Sequence, residues 1–183
     1  MIGLKKVTQA VESTSFHCGN EGIERQISDS YYATLLREGY GYEIVIQTET
    51  EFPVSVGYCM IKLVTLNKEH IPEEEQKYYS QVYANRSLQH SAIEITYLAV
   101  NEKVQGRGIG VSVLKFIINK IRSIGKEIPI RYIVVNSLIE RISFYKDRGF
   151  QPLGNRSDDG ETQFMYLDCI EDRKAIADYV ENI

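Results

Sequence analysis

Ile95-Thr96-Tyr97-Leu98-Ala99-Val100 followed by Asn101-Glu102-Lys103-Val104-Gln105-Gly106-Arg107-Gly108-Ile109-Gly110 is the stretch on which the reading of this chain turns. Residues 93–100 are apolar and β-rich, so they predict a strand. Glycines then stand at alternate positions, Gly106, Gly108 and Gly110. After them the spacing predicts a helix from about residue 108 to 123, with Ile109, Val113, Phe116, Ile117, Ile121 and Ile124 on one face and Gly125 as its C-cap. A strand that enters a helix through glycines lets a ligand approach the main chain closely. The unpaired N–H groups and dipole of the first helical turn favour a phosphate there, and Arg107 adds charge at the rim. A tight connection with no ligand is the other meaning of such a turn.

Working outward, residues 128–135 read as a second buried strand, 137–148 as a helix, 163–168 as a last strand and 171–181 as a terminal helix. Upstream, residues 2–8 read as a strand. Residues 21–36 read as a helix that buries Ile23, Ile27, Tyr31, Thr34 and Leu35 and ends at Gly39 and Gly41. Residues 42–48 and 54–66 form a hairpin across Glu51-Phe52-Pro53. Residues 67–91 hold Pro72 and the acidic run Glu73-Glu74-Glu75 and read as an irregular insertion within one domain, 1–183. Strands alternating with helices imply an α/β fold, a mixed sheet with parallel pairing at its centre.

Hydrophobic residues at 43% and charged residues at 25% place the chain among folded globular proteins rather than disordered ones. The net charge of −4 favours cationic small molecules over nucleic acid, unless a local basic patch hides inside the average. Cys18, Cys59 and Cys169 form no CxxC pair, and His17, His70 and His90 show no ligand spacing, so neither a disulfide framework nor a metal is expected. Without a signal-peptide core or a membrane-length apolar run, a cytoplasmic protein without membrane contact is expected.

Two phosphate motifs fail on the turn. A dinucleotide fingerprint needs glycine or alanine where Val111 stands, and no Gly-Lys-Ser/Thr follows for a P-loop. Gln105-Gly106-Arg107-Gly108-Ile109-Gly110 does complete the pattern Gln/Arg-x-x-Gly-x-Gly/Ala, and it resembles the signature of the GNAT superfamily of N-acetyltransferases. A second segment, Asn136 and then Phe144-Tyr145-Lys146-Asp147-Arg148-Gly149-Phe150, is similar to another family segment in the expected order. The resemblance covers about residues 92–168. It implies a central mixed sheet splayed between its two core strands, with helices on both faces. It also implies that acetyl-CoA is the cosubstrate, its pyrophosphate held by Gln105, Gly106, Arg107, Gly108, Ile109 and Gly110. By the same resemblance, main-chain groups of Leu98, Ala99 and Val100 bind the pantetheine arm, and Asn136 touches it, although Asn136 could equally cap the next helix. Tyr145 matches the family tyrosine that protonates the leaving thiolate, a role open to a phenol neutral at pH 7. Glu94, five residues before Ala99, matches the glutamate that takes the amine proton through water. A solvated carboxylate at a strand entrance is the competing reading for Glu94.

For the acceptor, the acidic average and Glu94 put a small-molecule or peptide amine first. The segment Phe16-His17-Cys18-Gly19-Asn20 resembles the Phe-x-Cys-Gly-Asn opening of a branch that includes toxins acetylating aminoacyl-tRNA, which makes that acceptor the alternative. A non-catalytic CoA-binding module is the reading from another class. A homodimer is compatible with all three.

Overall fold

The computed structural model describes residues 2–11, 16–47, 53–67, 70–73, 76 and 89–170. Among these residues lie seven strands: β1 (Ile2–Lys6), β2 (Tyr40–Ile46), β3 (Val54–Leu66), β4 (His90–Val100), β5 (Tyr132–Leu138), β6 (Gln151–Arg156) and β7 (Thr162–Asp168). The helices are α1 (Glu21–Leu35), α2 (Ile109–Gly125) and α3 (Ile142–Lys146). The strands form one sheet in the order β1-β2-β3-β4-β5-β7-β6. Pairs β1/β2, β2/β3, β5/β7 and β6/β7 are antiparallel. Strands β4 and β5 differ, because the chain between them passes through α2, the kind of crossover that parallel neighbours require. The Arg131 N–H at the start of β5 donates to the Ser91 carbonyl at the start of β4 (2.9 Å), so the two strands run the same way. The fold is therefore α/β with a mixed sheet and the central parallel pair that the sequence implied.

Packing divides the chain into two compact units, Met1–Leu63 with Glu94–Ser123 and Val64–Ile93 with Ile124–Ile183. In the first, Phe16, Ile27, Met60, Tyr97 and Ala99 form a buried cluster. Helix α1 turns the expected face inward, with Ile23, Tyr31 and Thr34 half-buried beside Ile27, but that face does not extend to Leu35. Ile27 and Ser30 are buried, whereas Leu35 is 60% exposed. The reason is a close approach: a Cβ on Gly41 of β2 would stand 2.9 Å from the Ser30 Cβ, so glycine must meet a small residue there. Gly39 and Gly41 therefore serve packing and do not end the helix. It stops at Leu36, followed by Arg37 in the left-handed region at φ 59°. The next residue on β2, Tyr42, meets Lys120 of α2, whose ammonium lies 5.9 Å from its ring. Successive strand residues point to opposite faces, so α1 and α2 cover opposite faces of the sheet within this unit. Helix α2 buries Val113, Leu114, Ile117, Ile118 and Ile121. Leu114 takes the place expected for Phe116, which is 40% exposed. Gly125 is the last helical residue rather than a cap, and the Ile128 N–H still bonds to the Ile124 carbonyl.

In the second unit, Leu66, Ala92, Tyr132 and Val134 pack together, with Phe164 and Tyr166 against them. Strand β5 starts at Tyr132 rather than at residue 128, because Pro129 has no N–H to give a ladder and Ile128 is exposed. It also runs on to Leu138, which shortens the helix expected over 137–148 to a 3-10 turn (Ile139–Arg141) and the five-residue α3. Strand β6 had no forewarning: Pro152 and Gly154 are poor strand residues, tolerated because β6 lies at the sheet edge and its register breaks between Pro152 and Arg156. Strand β4 begins at His90, so the end of the expected insertion is already sheet. Most of that insertion, the tip of the β2–β3 hairpin and the expected helix over 171–181 lie outside the described residues. No described helix is long and apolar enough to cross a membrane.

Candidate functional site

Strand β4 supplies the first half of the candidate site. Ile93, Ile95, Tyr97 and Ala99 are buried, and Glu94, Thr96, Leu98 and Val100 alternate with them on a half-buried face. Glu94 is not alone on that face. Its carboxylate pairs with the Lys62 ammonium of β3 at 3.2 Å, a partner 32 residues away that sequence spacing could not disclose. The Ala99 carbonyl faces Gly57 of β3 so closely that a Cβ there would stand 2.2 Å from its oxygen. Gly57 is therefore fixed by contact with the strand that carries the site, and nothing in its own neighbourhood of sequence marked it.

Past Val100 the chain makes a 3-10 turn (Glu102–Val104) capped by Asn101, whose side chain accepts from the Lys103 N–H. The Gln105 side-chain amide donates to the Val100 carbonyl and to the Cys18 carbonyl, both at 2.9 Å. Gln105 thus braces the turn with its side chain, beyond any use of its main chain. Gly106 (φ 74°) and Gly108 (φ 77°) sit in the left-handed region, and a Cβ on either would meet nothing within 4 Å. They leave the main chain bare beneath open space.

Helix α2 begins directly after. Its first intrahelical donor is the Ser112 N–H, bonded to the Gly108 carbonyl at 3.1 Å, so the N–H groups of Ile109, Gly110 and Val111 have no partner within the helix. Gly108 has no side chain to cap them, and no acidic residue stands in the first turn. Helix α1 shows the opposite treatment in the same unit. Asn20 caps it by accepting from the Ile23 N–H at 3.0 Å, and Glu21 and Glu24 occupy its first turn. One helix neutralises its own positive end; the other leaves that end uncapped, an environment that favours an anion. This bare turn and open cradle fit a phosphate.

The segment Phe16–Asn20 is built onto that turn. The Glu102 N–H donates to the His17 carbonyl (3.0 Å), and Gln105 holds Cys18 as described. Glu24 closes the segment from the other side, its carboxylate accepting from the Cys18 and Gly19 N–H groups at 2.8 and 3.2 Å, with the His17 ring at 3.4 Å. These contacts, the Cys18 N–H first, hold the Glu24 carboxyl below the usual range. A separate cavity of about 350 Å³ opens beside the end of β1, lined by Lys6, Val7, Thr8, Glu43 and Tyr58 among others, none of them from the turn.

In the second unit, Tyr145 of α3 is buried between Phe144 and Phe150, with ring centroids 5.0 and 5.4 Å away in edge-on geometry. Burial pushes its phenol up to about 12, with Arg141 pulling weakly the other way. Gly149 (φ 87°) turns the chain so that the Phe150 N–H bonds back to the Tyr145 carbonyl. Arg148 donates to the Phe144 carbonyl and lies 4.3 Å from the Phe144 ring centre. The Phe144–Phe150 segment is thus a self-clamped mount for one phenol. Asn136 is exposed on β5 opposite Phe164; the helix-cap alternative fails, because two more strand residues and the 3-10 turn separate it from α3. Among the described residues no group of three or more His, Cys, Asp and Glu is placed to hold a metal ion.

The family model of the acetyltransferase (GNAT) domain matches residues 67–166. The chain belongs to the GNAT acetyltransferase family. As a member of it, the protein is an acyltransferase, and the family resemblance read from the sequence stands. No curated protein matches this GNAT chain by sequence. Solved structures share its fold over essentially the whole length. A bacterial toxin superposes with a TM-score of 0.73 at 17% identity, covering 100% of this chain and 97% of its own. A tyrosine-to-phenylalanine mutant of KacT gives 0.73 at 16%, covering 99% and 98%. AtaT complexed with acetyl-methionyl-tRNAfMet gives 0.71 at 16%, covering 98% and 99%.

Proposed function

We propose that this acyltransferase moves the acetyl group of acetyl-CoA to a primary amine, and that the amine is the α-amino group of an aminoacyl-tRNA. The observation that carries the donor half is the bare N-terminus of α2 beneath Gly106 and Gly108. Residues Gln105 to Gly110 hold the pyrophosphate, with main-chain groups of Leu98, Ala99 and Val100 and the Asn136 side chain along the pantetheine arm. When bound, acetyl-CoA supplies an activated thioester. The buried phenol of Tyr145 stays neutral throughout the physiological range, so it can give a hydrogen bond to the departing sulfur. Complete transfer from a phenol near 12 to a thiolate whose thiol titrates near 8.5 is uphill by roughly 5 kcal/mol, so hydrogen-bond donation is the larger part of its role.

Two observations move the acceptor away from a small or peptide amine. Glu94, the reason for preferring one, already holds Lys62 and is not a free carboxylate waiting for a cationic substrate. Its share in removing the amine proton, through water, is then made with Lys62 beside it. The segment Phe16–Asn20, which carried the resemblance to the tRNA-acetylating branch, is bonded to the glycine turn rather than hanging free. The likeness to AtaT in its acetyl-methionyl-tRNAfMet complex supports the same acceptor.

An α-amino group titrates near 8, so a substantial fraction is neutral at pH 7.5 without a strong base, unlike an alkyl ammonium near 10.4. Thiol release from acetyl-CoA, measured against a panel of aminoacyl-tRNAs, polyamines and peptides, tests the proposal. Release with aminoacyl-tRNA and not with the others is expected. Turnover on polyamines or peptides alone would return the acceptor to the small-amine class.

A further inference from the structure

Between Glu102 and Glu127 the chain carries Lys103, Arg107, Lys115, Lys120, Arg122 and Lys126 and not one carboxylate, in a protein with 21 Lys and Arg against 25 Asp and Glu. The first five belong to the first unit, on the glycine turn and α2, and all are exposed. None of these five forms an ion pair among the described residues, whereas Lys5, Lys62 and Arg131 each hold a carboxylate. Lys115 and Arg122 are two helical turns apart, so they stand on one side of α2 about 10 Å from each other. Asn119 lies between them on that side and Phe116 beside it, 40% exposed.

We infer that the outward face of α2 binds the phosphate backbone of RNA. The inference rests on the aminoacyl-tRNA reading above and adds to it a surface outside the acetyl-transfer site. A row of cations without carboxylate partners suits a repeating anion; the Asn119 amide and the Phe116 ring add a hydrogen-bonding group and a platform for an unstacked base. A membrane surface would call for several large apolar residues on this face, and an acidic protein partner for a cluster of apolar anchors. Phe116 alone meets neither need. The acidic net charge hides this face because the carboxylates all lie elsewhere in the sequence.

The test compares the full-length protein with its Lys115→Glu/Arg122→Glu and Lys115→Gln/Arg122→Gln forms. Filter binding to an aminoacylated tRNA is followed from about 50 to 200 mM salt, a range over which each phosphate contact is read as a slope. The reversal form is expected to bind at least tenfold more weakly, with the log–log salt slope shallower by about 1.4 to 1.8, and the glutamine form to fall between. Acetyl-CoA affinity and melting temperature should stay at wild-type values, because neither residue belongs to the turn. Wild-type RNA affinity and slope in the reversal form would overturn this surface while leaving the acceptor proposal standing. A wild-type protein that binds anionic vesicles or an acidic peptide through these residues, and not RNA, would overturn it as well. RNA binding that depends on these residues, with no acetylation of any aminoacyl-tRNA, would support the surface and sink the acceptor.

Discussion

Replacing Gly108 with alanine separates the two properties that the turn combines. A Cβ at this position meets no atom within 4 Å, so the unliganded protein offers no steric objection. What remains is the backbone, held at φ 77°, where an L-residue other than glycine costs about 1–2 kcal/mol. For a chain of 183 residues that corresponds to a fall of roughly 2–8 °C in melting temperature. The same methyl enters the open space at the turn, where the phosphates are proposed to sit. Acetyl-CoA affinity should therefore fall by more than tenfold, beyond anything the stability change explains. Asparagine supplies the control, because it tolerates the left-handed region better than alanine yet brings a larger side chain. Gly108→Asn should unfold closer to wild type and bind acetyl-CoA no better than Gly108→Ala. Thermal unfolding without ligand and calorimetric titration with acetyl-CoA read the two quantities separately. Wild-type affinity in both variants would refute the placement of the phosphates on this turn. A stability loss well above 3 kcal/mol would refute the claim that the space is open.

Tyr145→Phe should lower kcat by about 10²- to 10³-fold, as for the loss of one hydrogen-bond donor to developing charge, while acetyl-CoA affinity and melting temperature hold, because the edge-on packing with Phe144 and Phe150 needs only the ring; stopped-time thiol-release assays and calorimetry check this. Gly57→Ala should destabilise the protein by about 1–3 kcal/mol or more, or prevent folding, since its methyl would stand 2.2 Å from the Ala99 oxygen, and chemical denaturation measures it. Glu24 contributes to stability when ionised. Its folded carboxyl is held low, so the contribution is present above the ordinary glutamate range and is lost as pH falls through the folded value. Unfolding curves of wild type and Glu24→Gln should therefore differ at pH 7 and converge as pH falls through the folded value, below the ordinary glutamate range.

The glycine turn proposed to hold the acyl donor is legible in the sequence because it is made of main chain. A backbone that must be bare and left-handed announces itself as glycine, and Gly106 and Gly108 stand at φ 74° and 77° where the sequence put them. The central strand-turn-helix was legible for a related reason, since α2 buries Val113, Ile117 and Ile121 at helical spacing. Errors clustered where packing overruled local pattern. Ser30 displaced Leu35 from the inner face of α1 because Gly41 comes within contact of it, and no window on α1 contains Gly41. Strand β6 passed unnoticed because Pro152 and Gly154 argue against a strand anywhere but an edge, and edge position is a property of the finished sheet. The helix over 137–148 was overcounted because β5 continues to Leu138, an extension set by its pairing with Thr162 of β7 rather than by its own residues.

Charge shows the same divide between local and assembled information. The net value of −4 argues against nucleic acid only as an average over the chain. Yet a surface is read by its partner patch by patch, and screening confines each charge to about 8–10 Å at ordinary salt. Over that distance a phosphate beside α2 meets first Lys115, Arg122 and their neighbours on the helix, all of them exposed. Glu94 teaches the converse lesson: a carboxylate taken alone reads as a free base, but in the fold it stands 3.2 Å from the Lys62 ammonium. Each local charge had to be placed beside its neighbours before it could be given a role. Both placements point the same way, toward an acceptor that brings its own nearly neutral amine and its own anionic backbone, and away from a cationic amine drawn in by a free carboxylate.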